Sequence, residues 1–160
     1  MKWGRVGRRG VPSHTDRMTG FLGSFQHNVD EKGRLSLPAS FRREGQDQPF
    51  VLVHVFPDAL TLYPRSAWAE VEGRLREVLR LQPQARPWVL KVTANACEVA
   101  PDKQGRILVP QRLMEAVGIA GATLVVGAID RIELWDPARF NAATEAPVPD
   151  AARFMHQIFG

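Results

Sequence analysis

The strongest constraint on the fold is that the chain contains the same segment twice. Asp30-Glu-Lys-Gly-Arg-Leu-Ser-Leu-Pro38 recurs as Asp102-Lys-Gln-Gly-Arg-Ile-Leu-Val-Pro110, at an offset of 72 residues. The same offset aligns Asp58-Ala-Leu-Thr-Leu-Tyr63 with Asp130-Arg-Ile-Glu-Leu-Trp135, and places Leu52 over Leu124, Val53 over Val125 and Trp68 over Phe140. Held over more than forty residues, that offset marks two structural copies, roughly 21–92 and 93–160. Each copy is too small to bury both faces of its strands alone. The two must therefore close a shared β core about a pseudo-twofold, as one intertwined domain rather than two beads on a linker.

Each copy reads the same way. A β segment (Phe21–Val29; Val92–Ala100) leads into a tight turn carrying Gly33 or Gly105, the residue type that tolerates positive φ. A short strand follows, with alternating apolar residues Leu35 and Leu37, or Ile107 and Val109. Pro38 or Pro110 opens a helix, Ala39–Glu44 or Gln111–Val117, which stops at Gly45 or Gly118. An apolar strand (Phe50–Phe56; Thr123–Ile129) turns at Asp58 or Asp130 into a last strand ending in Tyr63 or Trp135. Beyond that point the copies diverge. The first continues into a helix over Arg65–Leu81, with Val71, Leu75, Val78 and Leu79 on one face and Pro83 and Pro87 ending it. The second has a short helix near Pro137–Ala143, a link broken by Pro147 and Pro149, and a terminal helix near Asp150–Phe159 with Phe154, Ile158 and Phe159 on an apolar edge.

Charge gives a less direct message. The 160 residues carry a formal net charge of +4. Lys2, Arg5, Arg8, Arg9 and Arg17 against Asp16 supply all of it, so residues 21–160 balance to zero. The Gly-punctuated start reads as a flexible basic tail with no secretory apolar core. No apolar run approaches the ~18 residues of a membrane helix. Cys97 is the one cysteine, which excludes an intramolecular disulfide and fits a reducing compartment. Its apolar setting makes it a small packing residue rather than a reactive thiol. His14, His27, His54 and His156 are scattered without metal-ligand spacing, and no nucleophile-elbow or phosphate-loop motif occurs. The sequence therefore predicts neither an enzyme nor a cofactor. Asp58 and Asp130 read as turn residues, and Tyr63, Trp68, Trp135 and Phe140 as core.

The repeated turn is the candidate for function. An Asp at its start can accept hydrogen bonds from backbone N–H groups two residues on, and an Arg four residues later can pair with that Asp. Such a pair either staples a turn or fixes an Arg for contact with an external anion. Duplication favours the second reading. Asp30, Lys32 and Arg34 in one copy and Asp102, Lys103 and Arg106 in the other present a symmetric pair of basic prongs, suited to a duplex with repeated half-sites. Arg42 and Arg43 align with Met114 and Glu115, so they are not duplicated. They read as a solvated helix face, with a phosphate contact as the alternative.

Gly20-Phe-Leu-Gly-Ser-Phe25 with Asp30-Glu-Lys-Gly-Arg-Leu-Ser-Leu-Pro38, followed by Asp102-x-x-Gly-Arg106 and Glu133-Leu-Trp-Asp136, resembles the bacterial MraZ family over about residues 18–145. The resemblance implies an α+β fold: a β-rich, AbrB-like swapped-hairpin barrel of two tandem repeats with peripheral helices. The expected divisions are an extension over 1–19, repeats over 20–92 and 93–145, and a helical tail over 146–160. Family members usually begin near Met18, which makes residues 1–17 either an upstream-start artefact or an added arm. The family's Asp-x-x-x-Arg element maps onto Asp30 with Arg34 and Asp102 with Arg106. The implied function is transcriptional regulation of the cell-division and cell-wall gene cluster. It would act through double-stranded DNA, at short direct repeats in the protein's own promoter, as a ring homo-oligomer of eight or more chains in the cytoplasm and nucleoid. The alternatives are an antitoxin-like module of the same superfamily with a protein partner, a small β-barrel enzyme, and a purely structural ring protein.

Overall fold

A computed structural model describes residues 20–43 and 48–160. The basic extension and the expected helix stop at Glu44 and Gly45 lie outside the described residues. The first copy contributes β1 (Ser24–Asn28), β2 (Arg34–Ser36), α1 (Ala39–Arg42), β3 (Phe50–Phe56), β4 (Ala59–Tyr63) and α2 (Arg65–Leu81). After a 3-10 turn over Pro83–Ala85, helix α3 (Arg86–Ala94) leads to the second copy. That copy supplies β5 (Cys97–Val99), β6 (Arg106–Leu108), α4 (Gln111–Ala116), β7 (Ala122–Gly127), β8 (Ile132–Trp135), α5 (Pro137–Glu145) and α6 (Ala151–Phe159). The architecture is mixed α+β around a six-stranded antiparallel sheet.

The sheet order is β1-β7-β8-β4-β3-β5, with β2 and β6 paired as a separate two-stranded ribbon. Exchanging each strand for its equivalent in the other copy reverses that order and leaves it unchanged. Each copy keeps one hairpin, β3–β4 or β7–β8, and gives its first strand to the other copy's hairpin. The register carries the same relation. Leu35 lies opposite Ile107 in the ribbon, and Thr61 opposite Glu133 in the sheet. Both pairs join residues 72 apart, so a local twofold passes through each of them. Backbone bonds repeat across the ribbon ends: the Leu37 N–H donates to the Gly105 carbonyl at 2.9 Å, and the Val109 N–H to the Gly33 carbonyl at 2.8 Å.

Alternation along the short strands determines the core. Leu35, Leu37, Ile107 and Val109 are all buried in the main cluster, with Phe41, Leu52, Leu60, Leu62, Leu113, Ile132 and Leu134. Each such side chain contributes roughly 1.5–3 kcal/mol relative to an exposed position. A second cluster forms where α2 lies on the sheet, with Trp68 against Val51, Val53 and Tyr63, and Val71 and Leu75 at its edge. Cys97 is half-buried and packs against the main cluster, and burial pushes its thiol pKa up.

Three elements differ from the sequence reading. Val92–Ala94 is helical, so the expected strand over Val92–Ala100 shrinks to Cys97–Val99. Pro87 sits in the first turn of α3, where its missing N–H leaves no bond unmade, and Val89 and Val92 bury one face at i, i+3 spacing. The prolines that end α2 thus also start the next helix. Residues 21–29 do not form a continuous strand: Phe21 pairs with Ile129 through an isolated bridge, and the ladder begins at Ser24. The aromatic residues are also unequal. Tyr63 and, on the 17-residue α2, Trp68 are both buried, whereas Trp135 and, on the 9-residue α5, Phe140, with rings 5.5 Å apart, stay half-buried.

Leu35→Ala or Ile107→Ala should each lower the unfolding free energy by about 2–5 kcal/mol in urea titrations, because both side chains are fully buried. The double variant should cost measurably less or more than the sum, since the two residues face each other across the ribbon.

Candidate nucleic-acid interface

Both repeated turns are built by a carboxylate that gathers backbone donors. The Oδ1 atom of Asp30 accepts from the backbone N–H of Lys32 and of Arg34, each at 2.9 Å. Asp102 repeats this with Gln104 and Arg106, again at 2.9 Å each. The main chain closes around them: Gly33 N–H donates to the Asp30 carbonyl at 3.0 Å, and Gly105 N–H to that of Asp102 at 2.9 Å. The reversal needs left-handed backbone, which Gly33 (φ 83°) and Gly105 (φ 79°) supply. The remaining oxygen, Oδ2, takes the Nε–H of the arginine, at 2.7 Å for Arg34 and 3.1 Å for Arg106. Both carboxyls are held below the ordinary aspartate pKa, chiefly by the backbone N–H of Arg34 or Arg106, with the guanidinium adding to it.

The ribbon then sets where the arginines point. Side chains alternate along β2 and β6, so Leu35 and Ile107 face the core while Arg34, Ser36, Arg106 and Leu108 share the outer face. Arg34 lies opposite Leu108 and Arg106 opposite Ser36, which makes the arginines diagonal neighbours, roughly 7–8 Å apart by strand geometry. Each is oriented through Nε. Among the described residues, the terminal guanidinium nitrogens of Arg34 and Arg106 make no hydrogen bond. Leu108, 60% exposed in the middle of this face, was not singled out by the sequence reading. Its phase with Arg106 in the two-residue alternation is the signal that could have found it.

Each turn also forms one wall of a cleft whose other wall is the helix of the opposite copy. Asp30, Glu31, Lys32 and Gly33 face Gln111, Met114 and Glu115 of α4 across about 730 Å³. Asp102, Lys103 and Gly105 face Ala39 and Arg42 of α1 across about 340 Å³. Arg42 lies directly over Gly105, and its Nη1 is 3.5 Å from the Gln104 carbonyl, at the outer limit of a hydrogen bond. The lysines do not share the twofold relation expected of them. Lys32 is equivalent to Gln104, and Lys103 to Glu31, so among their charged residues the prongs match only in the aspartates and arginines.

Asp58 pairs with Arg139 at 3.5 Å, and Asp130 with Arg131 at 2.9 Å. Among the described residues, no group of three His, Cys, Asp or Glu side chains could hold a metal ion, and no helix is long and apolar enough to cross a membrane.

A family model described as "MraZ protein, putative antitoxin-like" matches residues 21–87 and 92–151. The chain is 42% identical over 129 residues to the transcriptional regulator MraZ of Desulforamulus reducens, covering 79% of this chain and 90% of that protein. It is 37% identical over 138 residues to the protein of the same name in Herpetosiphon aurantiacus, covering 86% and 96%. The corresponding protein of Acetivibrio thermocellus is 37% identical over 122 residues, covering 76% and 85%.

The two glycines should respond differently to substitution. A Cβ on Gly33 would stand 2.9 Å from the fixed Val109 carbonyl oxygen, whereas one on Gly105 would meet the movable side chain of Arg42. Gly33→Ala should therefore destabilise more than Gly105→Ala, with about 1–2 kcal/mol of backbone strain common to both; chemical denaturation of the two variants measures the difference. The aspartates give a pH test. A carboxyl whose folded pKa is lowered contributes stability above its unfolded pKa and loses it as pH falls through the folded value. Carboxyl NMR titrations should give midpoints for Asp30 and Asp102 below those of the denatured chain, with the turns opening only on the acid side of that range.

Proposed function

The chain belongs to the MraZ family, and on that premise we propose that it is a transcriptional regulator whose β2–β6 ribbon binds double-stranded DNA. The observation that carries the proposal is the placement of Arg34 and Arg106 on one outward face of the ribbon, each oriented through Nε by its own aspartate. A major groove admits a two-stranded ribbon, and bidentate arginine contact to guanine is the commonest specific base contact. In this reading Asp30 and Asp102 position the arginines, Arg34 and Arg106 reach base edges, and Lys32 and Lys103 contact phosphates.

The AbrB-like swapped-hairpin barrel belongs to the same proposal, supported by the exchange of β1 and β5 between the copies. So do the divisions at 20–92, 93–145 and 146–160, with the extension before them. One chain offers few contacts, so useful affinity requires several chains on one DNA. Self-association as a ring supplies them, and the exposed Phe154, Met155, Ile158 and Phe159 of α6 support such self-association. Four adjacent chains each neutralising ~2 phosphates give a log–log salt slope of about −7, and linkage multiplies affinity through effective concentration. The targets would be direct repeats in the protein's own promoter, at the head of the division and cell-wall gene cluster, read in the cytoplasm at the nucleoid.

Gel-shift titrations over several salt concentrations test this. Arg34→Ala and Arg106→Ala should each lose roughly 1–3 kcal/mol of discrimination per contact between promoter and unrelated DNA, that is, about five- to 160-fold. If both variants bind as the unaltered protein does, with the same slope, the turns are not the DNA contacts.

A further inference from the structure

The backbone treats the two prongs as equivalent, but their charges do not. Three pairs of matched positions around the clefts differ in charge: Glu31 stands where the other cleft has Lys103, Met114 where it has Arg42, and Glu115 where it has Arg43. Lys32 against Gln104 offsets only part of this. Counting the described residues that line each cleft, the first holds Lys32 against Asp30, Glu31 and Glu115, a net of −2. The second holds Arg42 and Lys103 against Asp102, a net of +1, with Arg43 next to Arg42 along the chain. Glu31, Lys103, Arg43 and Glu115 are all exposed. Arg112, on the same helix as Glu115, is not among the residues that line the first cleft.

A duplex reads such a difference locally. It carries one negative charge per ~1.7 Å of axis, and salt screens exposed charges beyond about 8–10 Å. The overall charge of the subunit therefore matters little, while the charge within reach of each prong matters a great deal. A subunit with two equal prongs on a twofold would suit the duplex equally well in either direction, since protein twofold symmetry is matched by palindromic sites. Inverted charge removes that equivalence. Resting on the DNA-binding reading above, we propose that the prongs have separate tasks. The second turn with Arg42 and Arg43 carries the main grip on the phosphate backbone, Glu31 and Glu115 leave Lys32 as the one phosphate contact of the first turn, and each subunit sits on the duplex in one orientation. Arg42 is already positioned for this: it lies over Gly105 beside Lys103, and its contact with the Gln104 carbonyl is weak enough to exchange for a phosphate.

The test marks one prong and asks where it lands. Cys97 is the only cysteine, so Cys97→Ser with Gln104→Cys carries a chelated-iron cleavage reagent on the second turn alone. With a short end-labelled duplex bearing one promoter repeat, cleavage should fall on one side of the repeat. Glu31→Lys with Glu115→Arg, in the same background, should cut both sides comparably and steepen the salt slope by ~1–2. One-sided cleavage that persists in this charge-altered protein, or two-sided cleavage by its parent, overturns the inference while leaving the DNA-binding reading standing. Failure of the unaltered protein to shift any promoter duplex removes that reading, and the inference with it. Should the charge-altered protein fail to fold by circular dichroism, Arg42→Ala with Arg43→Ala decides. Its slope should flatten by about 2 and recover with lysine at both positions; an unchanged slope overturns the inference.

Discussion

The pairing of Leu35 with Ile107 is the contact on which the rest of the molecule depends. Each is fully buried, each faces its own equivalent, and the ribbon they centre joins two copies that would otherwise each expose an unpaired three-residue strand. A two-stranded ribbon of this length has little stability of its own. It persists because its inner face is part of the main core and because the Gly33 and Gly105 carbonyls accept from the opposite strand's end. With the inner face committed to leucine and isoleucine, strand alternation leaves no choice about the outer one. The arginines and Leu108 must point outward together.

That arrangement explains why the turns are economical. A single aspartate in each turn satisfies two backbone donors with one oxygen and orients an arginine with the other. Among the described residues the terminal nitrogens of the guanidinium make no hydrogen bond, while its first nitrogen fixes the plane in which they lie. Orientation of this kind lowers the ordering cost of a later contact. The long helix α2 serves a different end: it covers the back of the sheet with Trp68, away from the ribbon.

Much of this was readable from one dimension. Helix Arg65–Leu81 and strand Phe50–Phe56 fall where the periodicity put them. Leu35, Leu37, Ile107 and Val109 are buried as their alternation required, and both aspartates pair with their arginines. What was misread depended on packing between the copies. The Pro83–Pro87 stretch looks like a terminator until the burial of Val89 and Val92 shows that a second helix has something to pack against. The lysines looked equivalent because they are near neighbours of equivalent residues, although a shift of one position places Lys103 over Glu31. Arg42 looked like part of a solvated helix face because the turn it covers lies 62 residues away along the chain.

The exchange of first strands between hairpins has an evolutionary meaning. If the same fold were made from two separate identical chains, every substitution would appear on both sides of the twofold, and an arginine gained by one prong would be gained by the other. Fusing the halves into a single polypeptide keeps the shared core, because β1 still completes the second hairpin and β5 the first. It also releases the outer positions from that obligation. The inner residues of the ribbon, Leu35 with Ile107 and Leu37 with Val109, remain a matched set, while Glu31 and Lys103, or Glu115 and Arg43, are free to drift apart. Fusion turns a symmetric frame into one whose two ends can be selected independently.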